Sequence, residues 1–217
     1  MDKPVENFHQ LRLKALKESL ENNNFEVFIT EDVDAAKKVV IEEIIAKSDA
    51  RTVSWGGSMT LGKTKIIDAV RQMATLSVID TTANDLSAAE KVERRRQALL
   101  ADLFFTGTNA ITEAGQLVNL DMIGNRIGGL TFGPKEVVVL AGRNKIVADI
   151  EAAVARIKDF VAPANAMRLD MKTPCAKTGR CVDCSSPARI CNTWTITEKS
   201  FPKARVKIVL VNQALGL

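Results

Sequence analysis

The chain has 217 residues, 46% of them hydrophobic, with 30 basic and 26 acidic side chains and a formal net charge of +4. That length can bury a substantial core, and with no uninterrupted apolar run of about 18 residues the sequence holds no candidate membrane span. Both signs of charge are spread along the chain and Tyr is absent, so neither a basic stripe nor an aromatic stacking platform for nucleic acid is present.

Apolar periodicity switches repeatedly between helical and strand spacing, which predicts an α/β fold with a mixed, mostly parallel sheet sandwiched by helices. Phe8, Leu11, Ala15 and Leu16 form a helical stripe near the start of the chain. A short strand is expected at Phe25 to Ile29, followed by a helix in which Val33, Ala36, Val40, Ile44 and Ile45 recur at helical spacing. Thr52 to Trp55 reads as a strand ending in Gly56 and Gly57, with a helix beyond, and Leu76 to Asp80 as another strand. Ser87 and Glu90 form a capping box for a helix running to about Leu100. Leu103 to Thr106, Gln116 to Asn119 and Glu136 to Ala141 read as strands, the last followed by a helix from about Ile146 to Val161. A segment at 173–194 interrupts the alternation. Strands around Thr193 to Thr197 and Val206 to Val211 then return to the sheet. With no repeat and no low-complexity linker, residues 1–217 are expected to form one domain. The run KVERRR, from Lys91 to Arg96, reads as a solvated helix face.

All four cysteines lie in the interrupting segment, as Cys175, Cys181, Cys184 and Cys191, in the pattern C-x5-C-x2-C-x6-C. The surrounding TPCAKTGRCVDCSSPARICNTW is rich in Gly, Pro, Ser and charge and has no hydrophobic core to join. As thiolates the four could converge on one soft metal centre. Two disulfides would require an oxidising compartment, and the polar start MDKPVENFHQ has no secretory apolar run. The expected location is the cytoplasm. The tight Cys181 and Cys184 spacing is shared by zinc knuckles and iron-sulfur sites and does not choose between them.

Ligands of open α/β sheets sit beyond the carboxyl ends of strands, so two loops draw the closest reading. In the first, Gly56 and Gly57 permit close backbone approach and Ser58 and Thr60 supply hydroxyls for an anion. It also satisfies the P-loop spacing formally, as GSMTLGKT with Gly57, Gly62, Lys63 and Thr64, and Asp80 could hold magnesium. A helix starting near Ser58 would fall inside that loop and argues against a nucleotide site. The second loop carries Gly107, Thr108, Asn109, Thr112 and Glu113, and continues to Asn119, Asp121, Asn125 and Arg126. So dense a polar set must either satisfy itself or line a wet pocket.

The stretches GTNAITEAGQLVN, GNRIGGLTFGPKEVVVLAGRNKI and the cysteine-bearing tail through VLVNQALGL resemble the lactate-utilisation (LUD) domain family, formerly a domain of unknown function, in a short form carrying four cysteines. The resemblance spans nearly the whole chain. It implies a fold similar to the ribose-5-phosphate isomerase, glucosamine-phosphate deaminase and CoA-transferase group, and a part in lactate utilisation, where related subunits oxidise lactate with iron-sulfur partners. Catalytic stations of the isomerase relatives would correspond to Gly107-Thr108-Asn109, then Glu113-Ala114-Gly115, then Asn125-Arg126-Ile127-Gly128. Asn109 stands where those relatives carry an aspartate. An amide cannot transfer protons as a carboxylate does, so such chemistry would fall to Glu113 as base. Glu113 is also the best-placed acyl acceptor of the CoA-transferase kind, although the local sequence lacks their nucleophile motif.

The resemblance bears on the metal as well. Lactate-oxidising assemblies use electron-transfer clusters, and an all-cysteine set beside Lys177, Arg180 and Arg189 suits a negatively charged cluster, which favours iron-sulfur, of the four-iron type, over zinc. His9 is the only histidine, so no Ser-His or Cys-His nucleophile pair exists, and the GxGxxG dinucleotide fingerprint is missing. Two functions follow as expectations. One is an accessory or redox subunit of organic-acid metabolism, binding a small anionic metabolite and partnered by an iron-sulfur oxidoreductase, without nucleic acid or membrane. The other is a stand-alone enzyme for a sugar-phosphate or CoA-linked metabolite, with Glu113 as acid/base and a structural zinc. Homo-oligomerisation is compatible with both.

Overall fold

The computed structural model describes residues 3–217. Helix α1 (Lys3–Asn22) leads into strand β1 (Glu26–Thr30), and α2 (Val33–Lys38), capped by Asp32 and continued by a π-helical stretch Val39–Ile45, leads into β2 (Thr52–Trp55). Two short helices, α3 (Met59–Thr64) and α4 (Ile66–Arg71), precede β3 (Ser77–Ile79). The Ser87 and Glu90 capping box forms as expected and starts α5 (Ala88–Gln97). Then come β4 (Leu103–Gly107), β5 (Ala110–Thr112), β6 (Leu117–Asp121), α6 (Asn125–Thr131), β7 (Glu136–Gly142) and β8 (Ile146–Val147). Helix α7 (Ile150–Arg156) continues through a π-helical stretch Ile157–Val161 into α8 (Ala162–Arg168), and the chain ends with α9 (Pro174–Thr178), β9 (Thr193–Thr197) and β10 (Val206–Val211).

The main sheet has six strands in the order β1-β10-β7-β4-β2-β3, and every pairing in it is parallel. This confirms the α/β class. The expectation of one sheet is corrected, because β5, β6, β8 and β9 form a separate four-stranded sheet in the order β8-β5-β6-β9. There β6 runs antiparallel to β5 and β9, while β8 is parallel to β5. Of the two closing strands, only β10 returns to the main sheet.

Period-two alternation along the central strands feeds apolar layers on both faces. Val137 and Val139 of β7, with Phe104 of β4, pack with Leu13, Leu16 and Leu20 of α1. Val138, Leu140 and Phe105 face the other way, toward Ala36, Val40 and Ile44 of α2 and its continuation. A third cluster joins Ala110, Val118 and Leu120 of the second sheet to Ala153, Ile157 and Val161.

The buried face of α1 differs from the expected stripe. Leu16 is buried, but Phe8 and Leu11 are 56% and 57% exposed. Leu13, Leu16 and Leu20, spaced by three and four residues, form the stripe that docks, each contributing about 1.5–3 kcal/mol by leaving water. Leu16→Ala should therefore lower unfolding free energy by about 2–5 kcal/mol, whereas Phe8→Ala should change it by only about 0.5 kcal/mol. Urea denaturation of both variants checks the assignment, and the reverse order of effects would refute it.

Candidate active site and cysteine cavity

β4 ends at Gly107, and Thr108 and Asn109 carry the chain across to β5. β7 ends at Gly142, and the single 3-10 turn Arg143–Lys145 carries it to β8. Because β4 pairs with β7 and β5 with β8, these two crossings run side by side. Lys145 Nζ spans them, donating to the Thr108 carbonyl at 2.8 Å. A cleft of about 120 Å³ opens at this junction, walled also by Gly57 and Ser58 after β2, by Asp121 and Arg126 after β6, and by Ile157, Val161 and Asn165.

The expected ligand residues divide between this cleft and other places. Gly57, Ser58, Gly107, Thr108, Asn109, Asp121 and Arg126 line it. Gly56 does not. A Cβ there would meet Arg126 Cγ at 2.7 Å, so this glycine lets the arginine lie across the β2 loop. Thr60 is buried and donates to the Leu215 carbonyl at 3.4 Å, while Asn125 opens α6 away from the cleft. Asn119 is buried behind Asn109, accepting from the Asn109 backbone N–H at 3.1 Å, and its own Nδ2 has no partner among the described residues.

Glu113 requires the largest change to the expected assembly. It lies on the turn between β5 and β6, its side chain 54% exposed and paired with Arg12 at 3.0 Å, outside the cleft. Asn109 does face the cleft. Its Oδ1 accepts from Leu120 N at 2.9 Å, so the amide ties the crossing to β6 in the manner of a ladder bond. The P-loop reading has no structural counterpart. Ser58 caps α3 through Leu61 N, Lys63 is exposed, Thr64 donates to the Leu61 carbonyl, and Asp80 pairs with Arg71.

Charge in the cleft is predominantly positive. Asp121 is 5% exposed and accepts from Arg126 Nε at 2.7 Å, which neutralises it, while Arg126 Nη2 donates to the Leu120 carbonyl. Arg168 stands at the rim, held by Asn165 Oδ1. Lys145, absent from the sequence-based set, is 5% exposed and makes no ion pair among the described residues. Burial, with Arg156 and Arg126 adding repulsion, lowers its pKa from 10.5 to about 7. Arg156 is itself fixed by the Asn144 and Asn109 carbonyls. The available sequence signal was position: AGRNK follows a strand end, as the two chosen loops do.

The four cysteines are free thiols, and all four line one small cavity with Thr173, Arg189 and the apolar Ala162, Pro163, Val182 and Ile190. Among the described residues no three His, Cys, Asp or Glu side chains form a group that could hold a metal ion. Arg189 laces the segment, donating to the carbonyls of Cys184 and Cys191 and to Asp183. The Arg189 pKa is raised, chiefly by its proximity to Cys191 and by its bond to Asp183. Lys158 is raised too, because its Asp183 bond and the charges of Cys181 and Cys191 outweigh partial burial. Lys158 thus joins Arg189 as a cation beside the sulfurs, whereas Lys177 and Arg180 are exposed and absent from the cavity wall. The Asp183 N–H also points to Cys181 Sγ at 3.5 Å. Ala162, Ile190 and Cys191 belong to the walls of both the cavity and the cleft.

The LUD domain model matches residues 13–211. The chain belongs to the LUD domain family. A crystal structure of a DUF162 family protein from Deinococcus radiodurans, DUF162 being the earlier name of the LUD domain, is 14% identical with a TM-score of 0.53, over 94% of this chain and 98% of that one. At that identity the likeness is one of fold. A weaker similarity reaches eIF2B delta from Chaetomium thermophilum, at 16% identity and a TM-score of 0.30 over 66% of this chain and 50% of that one. No curated protein matches. None of the helices of this LUD domain among the described residues is long and apolar enough to cross a membrane.

The buried amine gives the LUD domain a pH signature. Between about 7 and 10.5 the unfolded chain carries the Lys145 proton and the folded chain does not, so folding releases it and stability rises with pH, at up to about 1.4 kcal/mol per unit. Below pH 7 both states hold the proton and the full penalty of burying the charge applies. Lys145→Met should be more stable than the wild type at pH 6, and that advantage should shrink as pH rises toward 10. Denaturation at stepped pH measures it, and a constant difference would refute the assignment.

Proposed function

We propose that this LUD-domain protein is an accessory or redox subunit of organic-acid metabolism, lactate utilisation in particular, that binds a small anionic metabolite in the cleft and carries an iron-sulfur cluster on Cys175, Cys181, Cys184 and Cys191. The observation that carries this reading is the shared wall: Ala162, Ile190 and Cys191 separate a cation-lined cleft from a cavity lined by all four thiols. Two sites one side chain apart suit a ligand and an electron carrier that work together.

Four thiols lining one cavity supply the soft donor set that either a cluster or zinc takes, and the all-cysteine set beside cations favours the cluster. Arg189, Lys158 and the Asp183 N–H offset negative charge on the sulfurs, which is how proteins tune such centres. When bound, a cluster supplies a one-electron carrier at this wall. The chain's own residues then bind and orient the metabolite. Arg126, fixed by Asp121, presents its guanidinium to a carboxylate, and Asn109 and Ser58 offer polar groups beside it. A cytoplasmic setting, where thiols stay reduced, and an iron-sulfur oxidoreductase as electron partner complete the proposal.

Protein purified without oxygen should be brown, with broad visible absorbance and bound iron and sulfide, and Cys184→Ser should lose that colour. A colourless preparation holding stoichiometric zinc would overturn the electron-transfer part. For the cleft, lactate or pyruvate should raise the melting temperature of the wild type, and Arg126→Met should weaken that binding roughly tenfold or more. Equal shifts in wild type and variant would remove Arg126 from the site.

A further inference from the structure

Lys145 lines the cleft, is buried, donates one hydrogen bond to the Thr108 carbonyl and has no carboxylate partner among the described residues. Buried lysines in supporting roles are commonly paired with an acid, because an isolated buried ammonium is costly. The charged groups around it are instead Arg156, Arg126 and the rim Arg168, with Asp121 already engaged by Arg126. Lys145 is reached from the cleft, whose wall it forms together with Thr108, Asn109 and Arg126. On its other side the packing is close: a Cβ built on Gly216 would meet Thr60 Oγ1 at 2.6 Å.

We propose that the Lys145 amine forms an imine with the carbonyl carbon of a small 2-oxo acid held in the cleft, an inference that rests on the anion-binding reading above and narrows its ligand to carbonyl-bearing carboxylates. Arg126 provides the complementary half of the site. Its Nε and Nη2 are committed to Asp121 and the Leu120 carbonyl, and its Nη1 takes no protein partner among the described residues, leaving a donor for the ligand's carboxylate. A cleft of about 120 Å³ admits a ligand of a few heavy atoms.

The step balances without an oxidant. The nitrogen lone pair attacks the carbonyl carbon as the C–O π bond breaks, and a proton passes from nitrogen to the new alkoxide. The resulting carbinolamine loses its hydroxyl, with the second N–H proton, as one water, leaving C=N. Only a neutral amine can begin this sequence. Burial, then Arg156 and Arg126, supply one near pH 7 by the same means that activate other imine-forming lysines: desolvation and neighbouring cations.

Incubation of the full chain with pyruvate and cyanoborohydride, followed by intact mass measurement and peptide mapping, reads the step. A single reduced pyruvyl adduct is expected on the peptide containing Lys145, saturating with pyruvate and increasing as pH passes through about 7. Lys145→Arg and Lys145→Gln should lose it while keeping the wild-type circular dichroism spectrum. Mapping on the wild type decides the matter even if neither variant folds. Adduct scattered over surface lysines, equal labelling of the variants, or no adduct would overturn the inference. Lactate, which has no carbonyl, separates this inference from the reading beneath it. If lactate and pyruvate both stabilise the protein and no adduct forms, the anion site stands and the imine falls. If neither stabilises it and no adduct forms, both fall.

Discussion

The cleft depends on the side-by-side departure of two strands. β4 and β7 are parallel neighbours deep in the main sheet, and both leave it at a glycine to enter the second sheet through short crossings. Parallel pairing keeps the crossings in register, so a side chain from one can reach the backbone of the other. Lys145 does so by donating to the Thr108 carbonyl. Every other wall of the cleft is built around that junction: the β2 loop below Gly107, the end of β6 held by Asn109, and the helical layer anchored by Ala153, Ile157 and Val161.

Charge follows from the same architecture. Among the described residues the one acidic side chain lining the cleft, Asp121, is neutralised by Arg126, and Arg156 is committed to the two carbonyls it bridges. The remaining field is positive and partly shielded from water. The cysteine segment attaches to this site directly. Asn192 donates through its backbone N–H to the Asp121 carbonyl and through its side chain to the Met122 carbonyl, fastening the thiol loop to the end of β6.

The long, strongly patterned elements were legible in the sequence. Thr52–Trp55, Thr193–Thr197 and Val206–Val211 are strands as read, and the Ser87 capping box starts its helix where expected. The second sheet was not legible, because Ala110–Thr112 and Ile146–Val147 are too short to show a period. Ile146 looked like the start of a helix; its strand pairing delays that helix to the Asp149 cap. Helix α6 begins after Gly124, in a left-handed conformation, with no capping side chain, and its Asn-Arg-Ile-Gly-Gly sequence reads as loop. Of the residues chosen at strand ends, Gly57, Ser58, Gly107, Thr108 and Asn109 line the cleft, while Gly56, Thr60 and Asn119 do not. Lys145 was passed over, since composition treats a lysine as surface and only topology buries it. Glu113 was chosen for its chemistry, but a tight turn between antiparallel strands turns it outward to Arg12.

One feature of the main sheet also governs how the molecule can be made. Among the described residues β1 pairs in the sheet with β10, a neighbour about 180 residues further along the chain. During synthesis α1 and β1 leave the ribosome early and must wait, with Leu13, Leu16 and Leu20 uncovered on at least one side, until β10 is complete. The cysteine loop and β9 are translated before that closing strand, so the thiols are already present when the sheet completes.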